Sequence, residues 1–447
     1  MASDEQIKLP ESSDQPMSLR DRAMRGAIWT LAGYGASQVL RLGGNLIFTR
    51  LLAPEVFGLM ALVQTFLTGL TMFSDLGVLP SIIQSKRGDD PAFLNTAWTI
   101  QIIRGIALWL VSCLIAAPVA HLYREPLLVQ LLPVTALSSL IGGLTSTKLD
   151  KANRQLAVQQ LTLLNLGTSV IQMGFMLIGA WFYRSVWVLV LGGIVGSLVK
   201  MVASHWLIQG ENNTLGWDRA AAQEIGSFGR WIFLSTVVAF FGLQSDRLVL
   251  GWLLDVRFLG IYTIALSLSS VMEQIVEQIN NRVLFPSYAE LVRERPKALY
   301  GALRKARLVL IGISLGCALF LVGFGRPLIN FLYDDRYLEA GWILRVLAIG
   351  FVGRVLCITY GDVLLARGES FSMMTLTIIF TGVQLAMMPL GYHLGGYQGV
   401  IVGIAVTDWL TYLAYAVWFS RLSLWQPELD LPTAAVAGLL AIVVYYT

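Results

Sequence analysis

Long apolar runs recur along the whole chain, separated by short polar stretches. They fall at about 27–49, 56–83, 96–118, 126–146, 160–182, 185–208, 230–253, 259–284, 306–325, 339–364, 371–392 and 396–419. A membrane-spanning helix needs about 20 predominantly apolar residues, so the pattern predicts twelve spans. A thirteenth run, 433–446, is short for a full span and reads as a partial helix or a cut end. The ten-residue alternation of membrane β-strands is missing. The expected class is an all-α polytopic membrane protein. Composition agrees: 56% of the 447 residues are hydrophobic and 13% charged, about half the charge of a soluble domain. The first 25 residues are polar and precede a full-length apolar run, which predicts a cytoplasmic disordered tail over 1–25 and no cleavable leader.

The two halves repeat. Residues 45–62 align without gaps to 247–264, an offset of 202, with Leu46/Leu248, Leu51/Leu253, Leu52/Leu254 and Gly58/Gly260 identical. At the same offset Asp75 falls on Glu277, both expected deep in the second helix of their half. Six spans per repeat give both halves one orientation, the parallel-repeat design of two lobes around a central cavity. The predicted organisation is an N-terminal lobe over 26–208, a cytoplasmic linker over 209–229, a C-terminal lobe over 230–420, and a tail with a short apolar helix over 421–447.

Cations alternate from loop to loop. One set of connections carries clusters such as Lys86 and Arg87, or Lys148, Lys151 and Arg154, and includes Arg307. The other set carries only Arg50, Arg124, Arg184, Arg257, Arg326 and Arg336. The positive-inside rule puts the rich set and the N-terminus in the cytoplasm.

Polar residues inside the spans point to function. Arg41 interrupts an otherwise uncharged run, at a cost of about 2.5–3.5 kcal/mol on insertion scales. Tyr34, Gln38, Arg41 and Asn45 make one stripe on the first helix, and Gln64, Thr68, Thr71 and Asp75 another on the second. On the seventh, Gln244, Arg247 and Gly251 share a face beside Asp246. On the eighth, Glu273, Glu277 and Asn280/Asn281 do so. The four stripes are expected to converge on one cavity. A guanidinium stays charged and matches phosphate oxygens, so Arg41 and Arg247 read as anchors for phosphate or pyrophosphate, or else as ion-pair partners of acids such as Asp75 and Glu277. Arg50 and Arg257, at helix ends, either receive an anionic headgroup or mark the interface. Glu273 and Glu277 are one turn apart and suit proton or cation coupling, or pairing with the arginines. Asp75 and Asp408 join them as candidates for coupling or gating. Arg345 and Arg354, nine residues apart, point to nearly opposite faces, so at most one faces the cavity directly. An Arg354–Asp408 pair is one expectation. Gln38, Asn45 and Arg345 complete the candidate substrate contacts. Arg104 and Lys200 read as snorkelling cations, and Cys113, Cys317 and Cys357 as small buried residues. Nucleotide-loop, hydrolase and zinc motifs are missing, so the reading is neither enzyme nor metal site, with no cofactor beyond a coupling H+ or Na+ and no nucleic-acid partner.

Arg50-Leu-Leu-Ala-Pro-Glu-Val-Phe-Gly, Phe73-Ser-Asp-Leu-Gly-Val, Ile83-Gln and Asn95-Thr-Ala-Trp-Thr, with Asp246-Arg-Leu-Val-Leu-Gly and Leu259-Gly-Ile-Tyr in the second half, resemble the Wzx-type polysaccharide-export flippases, above all the colanic-acid-like branch. The resemblance covers about 26–420. It implies a two-lobed transporter of the bacterial cytoplasmic (inner) membrane. Such a protein moves undecaprenyl-pyrophosphate-linked oligosaccharide between leaflets by alternating access. It would act as a monomer among membrane lipids, beside polysaccharide polymerase and export machinery. The alternatives are an ion-coupled multidrug or cation antiporter and a lipid II flippase of the same superfamily.

Overall fold

The computed structural model describes residues 19–155, 157–280 and 284–446, without the side chains of 19–28, 31 and 227–235. Among the described residues the regular structure is entirely helical. The first half contains α1 (Leu19–Leu51), α2 (Pro54–Phe73), the short α3 (Val78–Gln84), α4 (Pro91–Tyr123), α5 (Leu128–Gly143), the short α6 (Lys148–Arg154), α7 (Val158–Tyr183) and α8 (Val186–Trp206). The second contains α9 (Arg219–Leu253), α10 (Val256–Ile279), α11 (Phe285–Glu294), α12 (Leu299–Leu332), α13 (Glu339–Ala366), α14 (Ser370–Arg421) and α15 (Pro427–Tyr446). Nine of the described helices are long and apolar enough to cross a membrane, ten if α5 and α6, bent by 63°, count as one span. The sequence sets many boundaries. Asp90, Asp218 and Asp255 accept from the backbone N–H of Ala92, Ala220 and Phe258 at the starts of α4, α9 and α10, satisfying donors that a helix N-terminus leaves free.

Several expectations change. The second predicted span ends at Phe73, and Gly77, at φ 66°, turns the chain into α3. Asp75 therefore lies beyond the last turn of α2, where it accepts from Gly77 N–H at 2.9 Å, and is not deep in a helix. The predicted tail 1–25 falls mostly outside the described residues, and α1 begins at Leu19. The predicted linker 209–229 is helical from Arg219. The eleventh and twelfth spans are present as expected, as the two helical halves of α14, joined at Gly395 and Gly396 without a loop. Its halves fold back so tightly that a Cβ on Gly399 would lie 1.9 Å from the Gly391 carbonyl. The thirteenth run is a full 20-residue helix, α15, and not a partial one.

The starts of α2 and α10 cross at the repeat's own glycines. A Cβ on Gly58 would sit 1.8 Å from the Val256 carbonyl, and one on Gly260 would sit 1.9 Å from that of Pro54. Pro54 and Val256 are themselves one repeat offset apart, so the contact is reciprocal about a two-fold axis. Around it, one buried core runs through both lobes, including Leu59, Leu62, Tyr123, Leu250, Leu259 and Tyr262. This is the cation-poor end of the bundle. Arg336, between α12 and α13, donates to the carbonyls of Thr49 and Arg50 at 3.0 and 3.2 Å, covering the end of α1 from the opposite lobe. Arg257 meets Glu55 across the lobes at 3.9 Å.

At the cation-rich end the linker lies on the first lobe. Asn213 binds Ser146 and Thr147, and Arg87 binds both Asp90 and Asp218, at 2.8 and 2.6 Å. Hydrogen bonds from Arg87 hold both carboxyl groups below the usual carboxylate range. Arg307, expected among the loop cations, is wholly buried instead. It pairs with Asp430 at the start of α15 at 2.6 Å and stacks 3.7 Å from the Tyr360 ring. Tyr360 and Tyr412 donate to the other Asp430 oxygen at 2.9 and 2.8 Å. Of the cysteines only Cys357 is buried; Cys113 is exposed.

Two outcomes follow. Asp430→Ala leaves Arg307 buried without its anion and should cost about 3–5 kcal/mol, read as a lowered unfolding midpoint in detergent. Gly58→Ala forces the crossing helices apart, and spin labels at positions 55 and 257 should report a longer distance than in the parent.

Candidate functional site

Four helices of the second lobe, α9, α10, α13 and α14, enclose a cavity of about 580 Å³. Small residues allow it. A Cβ on Gly350 would come within 3.2 Å of an Asp408 carboxylate oxygen, and one on Gly353 would press on the Trp409 ring. These glycines let the second half of α14 approach α13, as small residues do in membrane interfaces. Asp408 is thereby brought to Arg354, which donates to it at 3.1 Å and to Glu273 of α10 at 3.0 Å. The expected Arg354–Asp408 pair is present, extended by Glu273. The Phe380 ring lies 5.6 Å from the same guanidinium.

Asp246, Arg247 and Glu277 also line the cavity. Asp246 accepts from Tyr262 at 2.6 Å, and Arg247 donates to Gln244 one turn away. Among the described residues Arg247 and Glu277 make no ion pair. Acids therefore outnumber arginines, with Asp246, Glu273, Glu277 and Asp408 against Arg247 and Arg354. Tyr262, Phe351, Phe380 and Tyr415 add aromatic wall.

The α1 stripe meets this cavity through one residue the sequence reading did not single out, Gln274. Its side-chain oxygen accepts from Tyr34 at 2.8 Å, from Gln38, and from Arg41 at 3.2 Å. Gln274 follows Glu273 and lines the same cavity; its polarity in an apolar helix was the available signal. Arg41 is exposed and, among the described residues, makes no ion pair; neither Asp75 nor Glu277 approaches it as the alternative reading required. Asn45 stands one turn beyond it, half-buried. The α2 stripe joins more weakly, with Thr65, beside Gln64, donating to Gln244 at 3.3 Å.

Other candidates lie elsewhere. Arg50 and Arg257 belong to the cation-poor end, Arg50 about 13 Å along α1 from Arg41. Arg345 is buried in α13 against Gly325 of α12 and does not line the cavity. Asn281 lies outside the described residues. Arg104 does not snorkel: it donates to Ser74 Oγ and the Thr71 carbonyl at 3.0 and 2.8 Å, capping the end of α2.

The architecture is that of a two-lobed, polytopic helical membrane protein. Residues 47–341 match the family described as polysaccharide biosynthesis protein, and the chain belongs to that family. It is 24% identical to the teichuronic acid biosynthesis protein TuaB of Bacillus subtilis over 66% of this chain and 61% of that one. It is 22% identical to the lipopolysaccharide biosynthesis protein WzxC of Escherichia coli over 96% and 89%. In fold it is similar to the lipid II flippase MurJ in an inward closed conformation (TM-score 0.71, 12% identity, 95% and 92% coverage). It is also similar to an inward-facing multidrug resistance transporter of the MATE family (TM-score 0.64, 14% identity, 89% and 95% coverage).

Arg354 holds two acids, so losing one leaves it the other. Glu273→Gln with Asp408→Asn together should therefore destabilise by more than the sum of the single changes, by about 0.5–3 kcal/mol, in a thermal-unfolding double-mutant cycle.

Proposed function

We propose that the protein is a flippase for undecaprenyl-pyrophosphate-linked oligosaccharide, working by alternating access in a bacterial cytoplasmic membrane. Its cation-rich end would face the cytoplasm, as the positive-inside rule requires. The observation that carries the reading is Arg41. It is a permanent cation within the 33-residue helix α1, with neutral Gln274 as its hydrogen-bond partner across the lobes. A charge held that way suits a water-filled gap that receives an anion. Arg247, likewise without an acid partner among the described residues, supplies a second contact from the opposite lobe. The polyprenyl chain stays in lipid. The cation-poor end, sealed by Gly58 and Gly260, is the closed gate of a state open to the cytoplasm. Membership of the polysaccharide biosynthesis family supports a glycan cargo.

The acid surplus in the second-lobe cavity has its own role in this scheme. Glu277, Glu273 and Asp408 would take up H+ or Na+ and return the lobes to the loading state. The same surplus favours a second reading, a cation antiporter, in which the organic cation is the cargo.

One experiment separates them. Flipping of a fluorescent undecaprenyl-diphosphate oligosaccharide is followed in proteoliposomes, with and without an H+ or Na+ gradient. Wild type should translocate it, and Arg41→Ala should do so about ten- to a hundredfold more slowly, the loss of a charge-assisted contact. Unchanged flipping in Arg41→Ala removes the central claim. Gradient-driven uptake of an organic cation with no glycolipid flipping selects the antiporter.

A further inference from the structure

The first lobe has two cavities that the transport scheme does not use. One is polar, about 550 Å³, and lies among α4, α5, α6, α7 and α8 toward the cation-rich end. Amides and hydroxyls recur along its wall, among them Gln101, Ser139, Asn153, Asn165 and Ser197, and its charged groups are Arg104, Lys200 and Asp150. The other is an apolar cleft of about 590 Å³ between α2, α4 and the start of α9, walled by Leu70, Phe73, Ile100, Ile103, Val111 and Ile225. Exposed Trp217 stands at its edge. Both cavities share Arg104 and Leu108 as walls.

Arg104 is the hinge of the argument. It is fixed by two neutral oxygens of α2, and among the described residues it forms no ion pair. Asp75 lies within electrostatic reach, but its carboxylate is turned to the Gly77 N–H. Lys200 makes no hydrogen bond or close ion pair among the described residues, and Asp150, within its electrostatic reach, is engaged by Gln101 at 3.4 Å. Two cations thus face one acid. The 20 residues of α2 cover about 30 Å, the thickness of the hydrocarbon core. Arg104 at its end therefore stands at headgroup level, with the apolar cleft on one side and the hydroxyl-rich cavity on the other.

We propose that the first lobe carries a separate site for an anionic phosphate lipid with a hydroxylated headgroup. The phosphate sits on Arg104, the headgroup enters the polar cavity toward Lys200, and the chain fills the apolar cleft. An arginine matches phosphate oxygens through paired N–H donors, and amides and hydroxyls match a polyol. Neither cavity alone specifies an amphiphile; their junction at an unpaired cation does. The site is independent of the Arg41 reading. The lipid comes either from the bilayer or from the pool of lipid-linked sugars.

The test is lipid retention by the purified full-length protein in native mass spectrometry. Phosphatidylglycerol and an undecaprenyl-phosphate-linked sugar are each titrated against phosphatidylcholine. At least one of these two anionic, hydroxylated lipids should be retained about tenfold over phosphatidylcholine, whose phosphate is offset by its own ammonium and whose headgroup has no hydroxyl, the value of one charge-assisted contact. Arg104→Gln and Lys200→Gln should each reduce it, and Arg184→Gln should not. Because Arg104 also caps α2, Ala107→Trp is the companion variant. It fills the exposed cleft, leaves Arg104 in place, and should reduce retention with an unchanged unfolding midpoint. Preference for phosphatidylglycerol names a bilayer source; preference for the sugar lipid names a loading site for cargo. Equal retention of phosphatidylcholine, or retention unmoved by both Arg104→Gln and Ala107→Trp, overturns the site. Because the readout is binding, a failed flipping assay would leave it standing.

Discussion

Everything in the arrangement of the two lobes depends on the backbone contact between Gly58 and Gly260. Helices that approach until one Cβ would lie under 2 Å from the facing carbonyl can do so only where no Cβ exists. The contact is made by equivalent residues of the repeat on equivalent partners, so it fixes the two-fold relation of the lobes and the depth at which they touch. The shared core of Leu62, Leu250, Leu259 and Tyr262 is built around it. Polar links at the same end are then secondary. Arg336 can reach the end of α1, and Arg257 can reach Glu55, only because the glycines have drawn the helices together.

The two ends of the inter-lobe interface differ in kind. The cation-poor end is closed by close packing, which is lost steeply with small displacements. Toward the other end α1 packs on α7 within its own lobe and touches the opposite lobe through Tyr34, Gln38 and Arg41 on Gln274. Hydrogen bonds of that sort exchange for water or a ligand at small net cost. The interface is therefore stiff where it is apolar and exchangeable where it is polar. Under the proposed scheme, a polar cargo entering there would displace the contacts that are cheapest to lose.

Much of this was legible in the sequence because membrane helices announce themselves by length and hydropathy, and the repeat by an ungapped offset. Asp408 and Arg354 were recognisable as partners because two opposite charges inside apolar helices each need one. What escaped had physical reasons. Asp75 looked intrahelical because apolar residues continue past it; only the left-handed turn at Gly77 shows that α2 has ended. Arg307 looked like one more loop cation, since its burial depends on Asp430, more than a hundred residues away. Gln274 carries no charge and so drew less notice than Glu273 beside it, although it is the residue on which α1 converges. Arg104 was read as snorkelling because a helix end belonging to another segment is invisible to a linear search.

The two lobes are equal in fold and unequal in electrostatics. In the second, Arg354 is consumed by Glu273 and Asp408, Arg307 by Asp430, and the cavity is left with surplus acid. In the first, Arg41 and Arg104 are held by neutral groups and keep their charge available. Duplication alone would give both lobes the same sign. Divergence has paired Arg354 and Arg307 with acids and left surplus carboxylate around Arg247 in the second lobe, and has set Arg41 and Arg104 on neutral groups in the first. Under the proposed flippase scheme that asymmetry would keep the acids that take up a cation apart from Arg41, the main contact for an anionic cargo, since opposite charges brought together would pair with each other.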